Sequence, residues 1–175
     1  MKRLLLLRHA KSLRDESLSD KARPLNARGR TDAPKMGRYM RAKGYLPDRI
    51  LCSSAKRTAE TWKLLAPELA TAPQAKFLDA LYLASAGTIM RVIREEGNDA
   101  SALLVVAHNP GLEDAARSLA GNPSSAEQRE FLDHLESKFP TGALAVVQFE
   151  IEMWTEIAEG SGRLVDFVRP KHIPS

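Results

Sequence analysis

Near its N-terminus the chain contains the run Leu4-Leu5-Leu6-Leu7-Arg8-His9, which sets the expected class of fold. Four consecutive apolar residues that stop abruptly at charged ones are typical of a strand buried on both faces of a sheet. Residues 103–107 repeat the pattern and are followed at once by His108. A strand that is covered on both faces needs helices on both sides. These two runs therefore predict an α/β protein with a mostly parallel sheet.

Helix and strand signals alternate along the rest of the chain, which agrees with that class. Ser54 and Asn109 are each expected to cap a helix, with Pro110 at the first helical position of the second. Met1–Ser175 is predicted to form one domain, a three-layer sandwich with helices on both faces of the sheet. Helices are expected at residues 26–44, 54–65, 86–97, 109–121 and 126–135. Strands are expected at 4–7, 49–52, 76–78, 103–107, 143–149 and 164–167, the last two being antiparallel and at or near the sheet edge.

Composition predicts an ordinary soluble protein, with 43% hydrophobic and 27% charged residues. The first apolar run ends at Arg8, which is too early for a secretory signal, and no stretch has the length of a membrane span. Cys52 is the single cysteine, so no internal disulfide can form. We therefore expect a cytoplasmic protein with no membrane partner.

Charge is distributed unevenly along the chain. Residues 1–63 contain 17 Lys and Arg against 6 Asp and Glu, whereas the remainder carries a net charge of −7. A basic half predicts an anionic ligand such as a phosphate ester, a phosphoprotein or a nucleic acid. Solvation of helix surfaces by lysine and arginine would produce the same count, so both interpretations stay open.

Ionisable side chains follow three of the expected strands, at the points where helices begin. They are Arg8 and His9, then Arg57, then His108. Ligands of open α/β sheets bind beyond the carboxyl ends of the strands, so these four side chains are expected to converge on one crevice. Helix N-termini in that crevice offer free N–H groups and partial positive charge. The sequence therefore predicts a site for an anion.

The same residues carry a resemblance to a known family. Arg8-His9-Ala10 resembles the Arg-His-Gly signature of the histidine phosphatase (phosphoglycerate mutase-like) superfamily, with alanine in place of the nearly equal-sized glycine. Three further segments resemble the motifs that follow it, at residues 23–29 (RPLNARG), 53–61 (SSAKRTAET) and 106–111 (VAHNPG). The match extends from Lys2 to about Phe167. The short form is most similar to the SixA-type phosphohistidine phosphatases.

The resemblance implies a mechanism. His9 would attack phosphorus and form a phosphohistidine that water then cleaves. Arg8 and Arg57 would clamp the phosphoryl oxygens with forked hydrogen bonds, and His108 would donate another. Asn109 is expected to contact the substrate as well. Neither a metal nor another cofactor is expected, and the substrate would be a phosphorylated protein or a small phosphate ester.

Two further site residues are less tightly specified by the sequence. Arg23 is either an additional phosphate or substrate contact or an ordinary loop arginine. Asp79 lies in the region where many relatives are expected to carry the acid that protonates the leaving group, but a loop-capping role fits it equally well. A phosphohistidine substrate has less need of such an acid, because the free imidazole has a pKa near 6.5.

Other functions are possible for the same residues. A cysteine phosphatase would place five residues between its cysteine and arginine, whereas four separate Cys52 from Arg57. A mutase would need a larger lid than residues 65–87 provide. A small-molecule phosphomonoesterase of the same fold, or a module that binds phosphate or nucleic acid without catalysis, remains the alternative. Few aromatic residues and no recognised motif argue against nucleic acid.

Overall fold

A computed structural model describes residues 1–175 and contains one six-stranded sheet. Its strands are β1 (Lys2–Arg8), β2 (Arg49–Ser53), β3 (Ala75–Leu78), β4 (Ala102–Ala107), β5 (Leu144–Phe149) and β6 (Gly162–Val168). The spatial order is β3-β2-β4-β1-β5-β6. Strand β5 alone runs opposite to the other five strands, so it pairs antiparallel with both β1 and β6. The prediction of a mostly parallel sheet is confirmed. The prediction of two late antiparallel strands near its edge is confirmed for β5, whereas the edge strand β6 runs in the same direction as the other four strands.

Helices cover both faces of the sheet, as a three-layer sandwich requires. They are α1 (Ala27–Lys43), α2 (Lys56–Leu65), α3 (Ala86–Glu96), α4 (Gly111–Leu119) and α5 (Ala126–Ser137). Alternate residues of β1 point to opposite faces. Leu5 and Leu7 pack in the core under α1 and α2, whereas Leu4 and Leu6 pack in the core under α3, α4 and α5. The four leucines are fully buried, which explains the unbroken apolar run.

Two of the predicted helix starts are wrong by one or two residues. Helix α2 begins at Lys56 without a side-chain cap, because the Ser54 hydroxyl instead donates to the carboxylate of Asp79. Helix α4 begins at Gly111, so Pro110 precedes its first helical residue. Asn109 still serves this end of the helix, since its Oδ1 accepts the backbone N–H of Glu113 at 3.2 Å.

Parallel register brings the ends of three strands together at one edge of the sheet. Arg8 pairs with Ala107, so His9 and His108 both lie just beyond the carboxyl edge. Cys52 pairs with Val106 on the other side of β4, which places the start of α2 at the same edge. None of the helices has the length and apolar character that crossing a bilayer requires.

Two glycines allow the loops at this edge to pack tightly. A Cβ on Gly29 of α1 would lie 2.1 Å from the carbonyl oxygen of Lys11. A Cβ on Gly111 of α4 would lie 1.8 Å from the carbonyl oxygen of Ala84. Both distances are far inside van der Waals contact. Glycine at these positions therefore holds the loop after β1 against α1, and the loop after β3 against α4.

Candidate active site

A cavity of about 630 Å³ opens at the carboxyl edge of the sheet. Its wall is predominantly polar, and Leu18 and Leu83 are its hydrophobic members. Six of the predicted site residues line it, namely Arg8, His9, Arg23, Arg57, His108 and Asn109. The structure therefore brings together residues from all four of the sequence motifs.

His9 is held in a form that suits a nucleophile. Its side chain is buried, and its ring centroid lies 5.3 Å from that of His108. Burial lowers the pKa of His9 to about 3, with a smaller contribution from the positive groups nearby. The ring is therefore neutral at pH 7. Its Nδ1 lies 2.7 Å from the carbonyl oxygen of Ala10, which can only accept, so Nδ1 carries the proton and Nε2 keeps its lone pair.

Ser53 fixes the orientation of the second imidazole. Its hydroxyl oxygen lies 2.7 Å from Nε2 of His108 and also accepts the backbone N–H of Ala55. No other acceptor is within reach of the Ser53 hydroxyl, so its proton goes to Nε2. Burial lowers the pKa of His108 to about 4, which makes this ring neutral too. The remaining ring proton is then on Nδ1, which has no protein partner.

Two arginines in the wall use some of their N–H groups to bond protein oxygens and leave others without a protein partner. Arg57 is 2% exposed, and its terminal nitrogens donate to the backbone oxygen and the carboxylate of Asp20 at 2.7 and 3.0 Å. Arg8 donates from Nη1 to the carbonyl oxygen of Phe139 at 3.0 Å. The Nε–H groups of both arginines lack protein partners. A buried donor without a partner costs stability, and binding of an oxyanion is a common way to satisfy such groups.

Asp20 is a member of this site that sequence reasoning missed. Its carboxylate accepts hydrogen bonds from Arg57, from Arg23 at 3.0 Å and from the hydroxyl of Tyr82. The bond from Tyr82, and then those from the arginines, holds the pKa of Asp20 well below its usual range. The carboxylate is therefore ionised and holds no proton to donate. The separation of three residues between Asp20 and Arg23 is the only local signal that could have pointed to it.

Arg23 and Asn109 line the cavity, but both also tie loops together. Arg23 donates from Nη1 to the hydroxyl of Ser12 at 2.7 Å, in addition to its bonds with Asp20. Asn109 donates from Nδ2 to the carbonyl oxygen of Phe139 at 2.9 Å. Each side chain therefore supports the cavity wall, whether or not it also contacts a ligand.

Asp79 lies apart from the cavity wall. Its side chain is 83% exposed and accepts from Lys21 Nζ at 2.9 Å and from the hydroxyl of Ser54. These two hydrogen bonds, that of Ser54 being the stronger influence, lower the pKa of Asp79. The structure does not bring it together with the four predicted phosphate-binding residues.

Cys52 is placed as a core residue of β2. It is fully buried, and burial raises the pKa of its thiol to about 12, so no thiolate forms at neutral pH.

We expect Cys52→Ser to retain nearly full phosphatase activity, measured as kcat/KM on a generic phosphate ester. A folded Cys52→Ser protein without activity would favour the cysteine phosphatase alternative.

A neutral imidazole beside anchored guanidinium groups, at the carboxyl edge of an α/β sheet, provides the chemistry of phosphoryl transfer. Fold and site together define an enzyme class that acts on phosphoryl groups. The chain belongs to the histidine phosphatase superfamily (branch 1), whose family model matches residues 4–148.

Relatives and solved structures agree with that membership. An uncharacterized protein of Mycobacterium tuberculosis is 33% identical over 171 residues, which cover 96% of this chain and 99% of that protein. A protein of Nakamurella multipartitia assigned as the phosphohistidine phosphatase SixA superposes with a TM-score of 0.82 at 26% identity, covering 97% and 96% of the two chains. The protein histidine phosphatase SixA in complex with tungstate has the same fold, with a TM-score of 0.76, 20% identity and coverages of 98% and 99%. The chain is of the SixA type.

Proposed function

We propose that this protein hydrolyses phosphohistidine on a protein substrate, through a phosphohistidine intermediate formed on His9. The observation that carries the proposal is the state of His9: a buried, neutral ring whose Nδ1 is tied to the Ala10 carbonyl, which leaves Nε2 as the nucleophile. We also propose that the reaction needs no metal, since Arg8 and Arg57 supply positive charge in the same wall. The single buried thiol supports a cytoplasmic location.

The first step breaks the bond between phosphorus and the substrate's imidazole. Nε2 of His9 attacks phosphorus in line, and the electron pair of the broken bond goes to the leaving nitrogen. Arg8 and Arg57 offset the charge on the phosphoryl oxygens, and Nδ1–H of His108 donates to one of them. Water then attacks phosphorus, and Nε2 recovers the electron pair of the bond that breaks. Phosphate leaves with the oxygen and one proton of the water, and the second proton is released to solvent.

The preference for phosphohistidine follows from a shortage of proton donors. Asp20 is ionised, Asp79 lies outside the cavity wall, and His9 is neutral. A serine alkoxide needs a proton as it leaves. A phosphohistidine ring protonated on its distal nitrogen leaves as neutral imidazole and needs none. The site is therefore better matched to the phosphoramidate than to an alkyl ester.

Hydrolysis of matched substrates tests this proposal. We expect kcat/KM for a phosphohistidine peptide to exceed that for the same peptide with phosphoserine by about 100-fold or more, the usual contribution of a general acid. Phosphate release should be measured under identical conditions. Quenching at alkaline pH should leave phosphate on His9 with either substrate. Equal turnover of phosphoserine would instead indicate a general phosphomonoesterase.

A further inference from the structure

Leu18 and Leu83 are unusual members of the cavity wall. They are 38% and 56% exposed, although the rest of the wall is almost entirely polar or charged. An exposed leucine offers nothing to a phosphoryl oxygen. We name this pair the apolar rim. Its position on the wall of the proposed phosphoryl site requires a reason beyond binding of phosphate.

The backbone at Leu83 holds this side chain out under strain. Its φ of 49° lies in the left-handed region, which leucine rarely adopts and which costs free energy in L-residues. Its neighbours on both sides are fixed: the Tyr82 hydroxyl donates to Asp20, and the Ala84 carbonyl packs against Gly111. An unfavourable backbone conformation that is maintained by its surroundings often marks a functional position.

Leu18 lies on a separate turn, which has hydrogen bonds of its own. Its backbone N–H donates to the carbonyl oxygen of Asp15 at 3.1 Å. The carboxylate of Asp15 accepts from the backbone and the hydroxyl of Ser17 at 2.9 and 2.6 Å. Two loops of different origin, after β1 and after β3, thus each place one leucine at the same cavity. The two leucines thus form an apolar contact surface at the cavity, and each is held by a different loop.

Charge at the cavity wall does not identify the partner by itself. Lys11 and Arg14 contribute two positive charges, and Asp15 and Glu16 contribute two negative charges to the same wall. These four side chains balance one another. Attraction of an anionic substrate is therefore left to the arginines that would hold the phosphoryl group. Outside those arginines, the apolar rim is therefore the feature of the wall that can identify a partner.

We propose that the apolar rim contacts apolar side chains that flank the phosphohistidine on a protein substrate. The proposal rests on the proposed function, and it names the part of the protein substrate's surface that the enzyme contacts. A phosphorylated residue on a folded protein enters with its neighbours, and exposed leucines bury area against them. A free phosphoramidate brings no such neighbours. Leu18 and Leu83 therefore select for the protein substrate and leave the chemical step unchanged.

The test compares two substrates in the full-length protein: a phosphohistidine-containing protein and free phosphoimidazole. Leu83→Asn removes the apolar group and places a residue that tolerates the left-handed conformation. We expect kcat/KM on the phosphoprotein to fall about fivefold or more, the loss of a significant interface contact, with no change on phosphoimidazole. Tm should equal or exceed that of the wild type. Leu18→Ala should likewise lower kcat/KM on the phosphoprotein and leave kcat/KM on phosphoimidazole unchanged.

Leu46→Ala is the matched control, because Leu46 is 39% exposed and precedes β2 at the opposite edge of the sheet. It should change neither rate. Equal losses on both substrates in the rim variants, or no loss on either, would overturn the rim proposal alone. A wild-type protein that turns over neither phosphohistidine substrate would overturn the proposed function, and the rim proposal with it.

Discussion

Replacement of His9 by alanine will abolish turnover, with an expected loss in kcat of about 10⁴-fold or more, as for removal of other covalent nucleophiles. No other nitrogen in the cavity can take over the attack. His108 has its Nε2 occupied by Ser53, and the remaining wall residues that carry nitrogen are protonated cations or an amide. The measurement is phosphate release together with acid-stable and alkali-stable protein phosphate after quenching. The variant should lack the alkali-stable adduct.

His134 provides the control for this experiment, because it is an exposed histidine on α5. His134→Ala should keep both turnover and the phosphohistidine adduct.

The pH dependence offers an additional check of the assignment of His9. Since the pKa values of His9 and His108 lie at about 3 and about 4, both rings stay neutral until strongly acidic pH. Protonation of the free enzyme should therefore reduce kcat/KM only as the pH falls towards these values. Persistent turnover in His9→Ala would contradict the assignment of the nucleophile.

Arg57→Lys is expected to lower kcat/KM by about 100- to 1,000-fold, the range for loss of one donor to a developing oxyanion. Arg57 is almost fully buried, and it uses two terminal nitrogens to hold Asp20. A lysine carries a single nitrogen and cannot hold Asp20 and present a second fixed donor in the same geometry. Steady-state kinetics and the inhibition constant of inorganic phosphate, the reaction product, should both show the defect.

Arg49 supplies a comparison at the other end of β2. It also bonds to a backbone oxygen and a carboxylate, both of Glu96, but it lies at the opposite edge of the sheet from the cavity. Arg49→Lys should retain near-normal kinetics, even if stability decreases slightly. Near-normal rates for Arg57→Lys itself would contradict the forked hydrogen bonds that the family resemblance implies for Arg57.

The parts of the molecule that periodicity controls could be predicted from the sequence. Strands β1 and β4 are buried on both faces, so their apolar runs were visible without knowledge of their partners. Once those strands were parallel neighbours, His9 and His108 had to lie at one edge, because both directly follow a strand. The meeting of these two histidines is thus a consequence of sheet register.

Residues whose placement depends on loops could not be predicted in the same way. Asp20 and Asp79 are each the first residue of a short one-turn helix, and nothing local distinguishes them. The difference is tertiary: Lys21 and Ser54 hold Asp79 at the surface, whereas Arg57 and Tyr82 hold Asp20 at the cavity. The same competition explains the error at Ser54, whose hydroxyl bonds to Asp79 and leaves α2 uncapped.

The division of the cavity wall between strand ends and loops has a consequence for how such proteins diversify. His9 and His108 follow strands of the buried sheet, where a change in sequence disturbs the core. Leu18 and Leu83 are exposed on surface turns, and neither side chain belongs to that core. Surface turns accept substitutions more readily than strands do. A lineage could therefore acquire new substrates by altering these turns while it inherits the reaction itself intact.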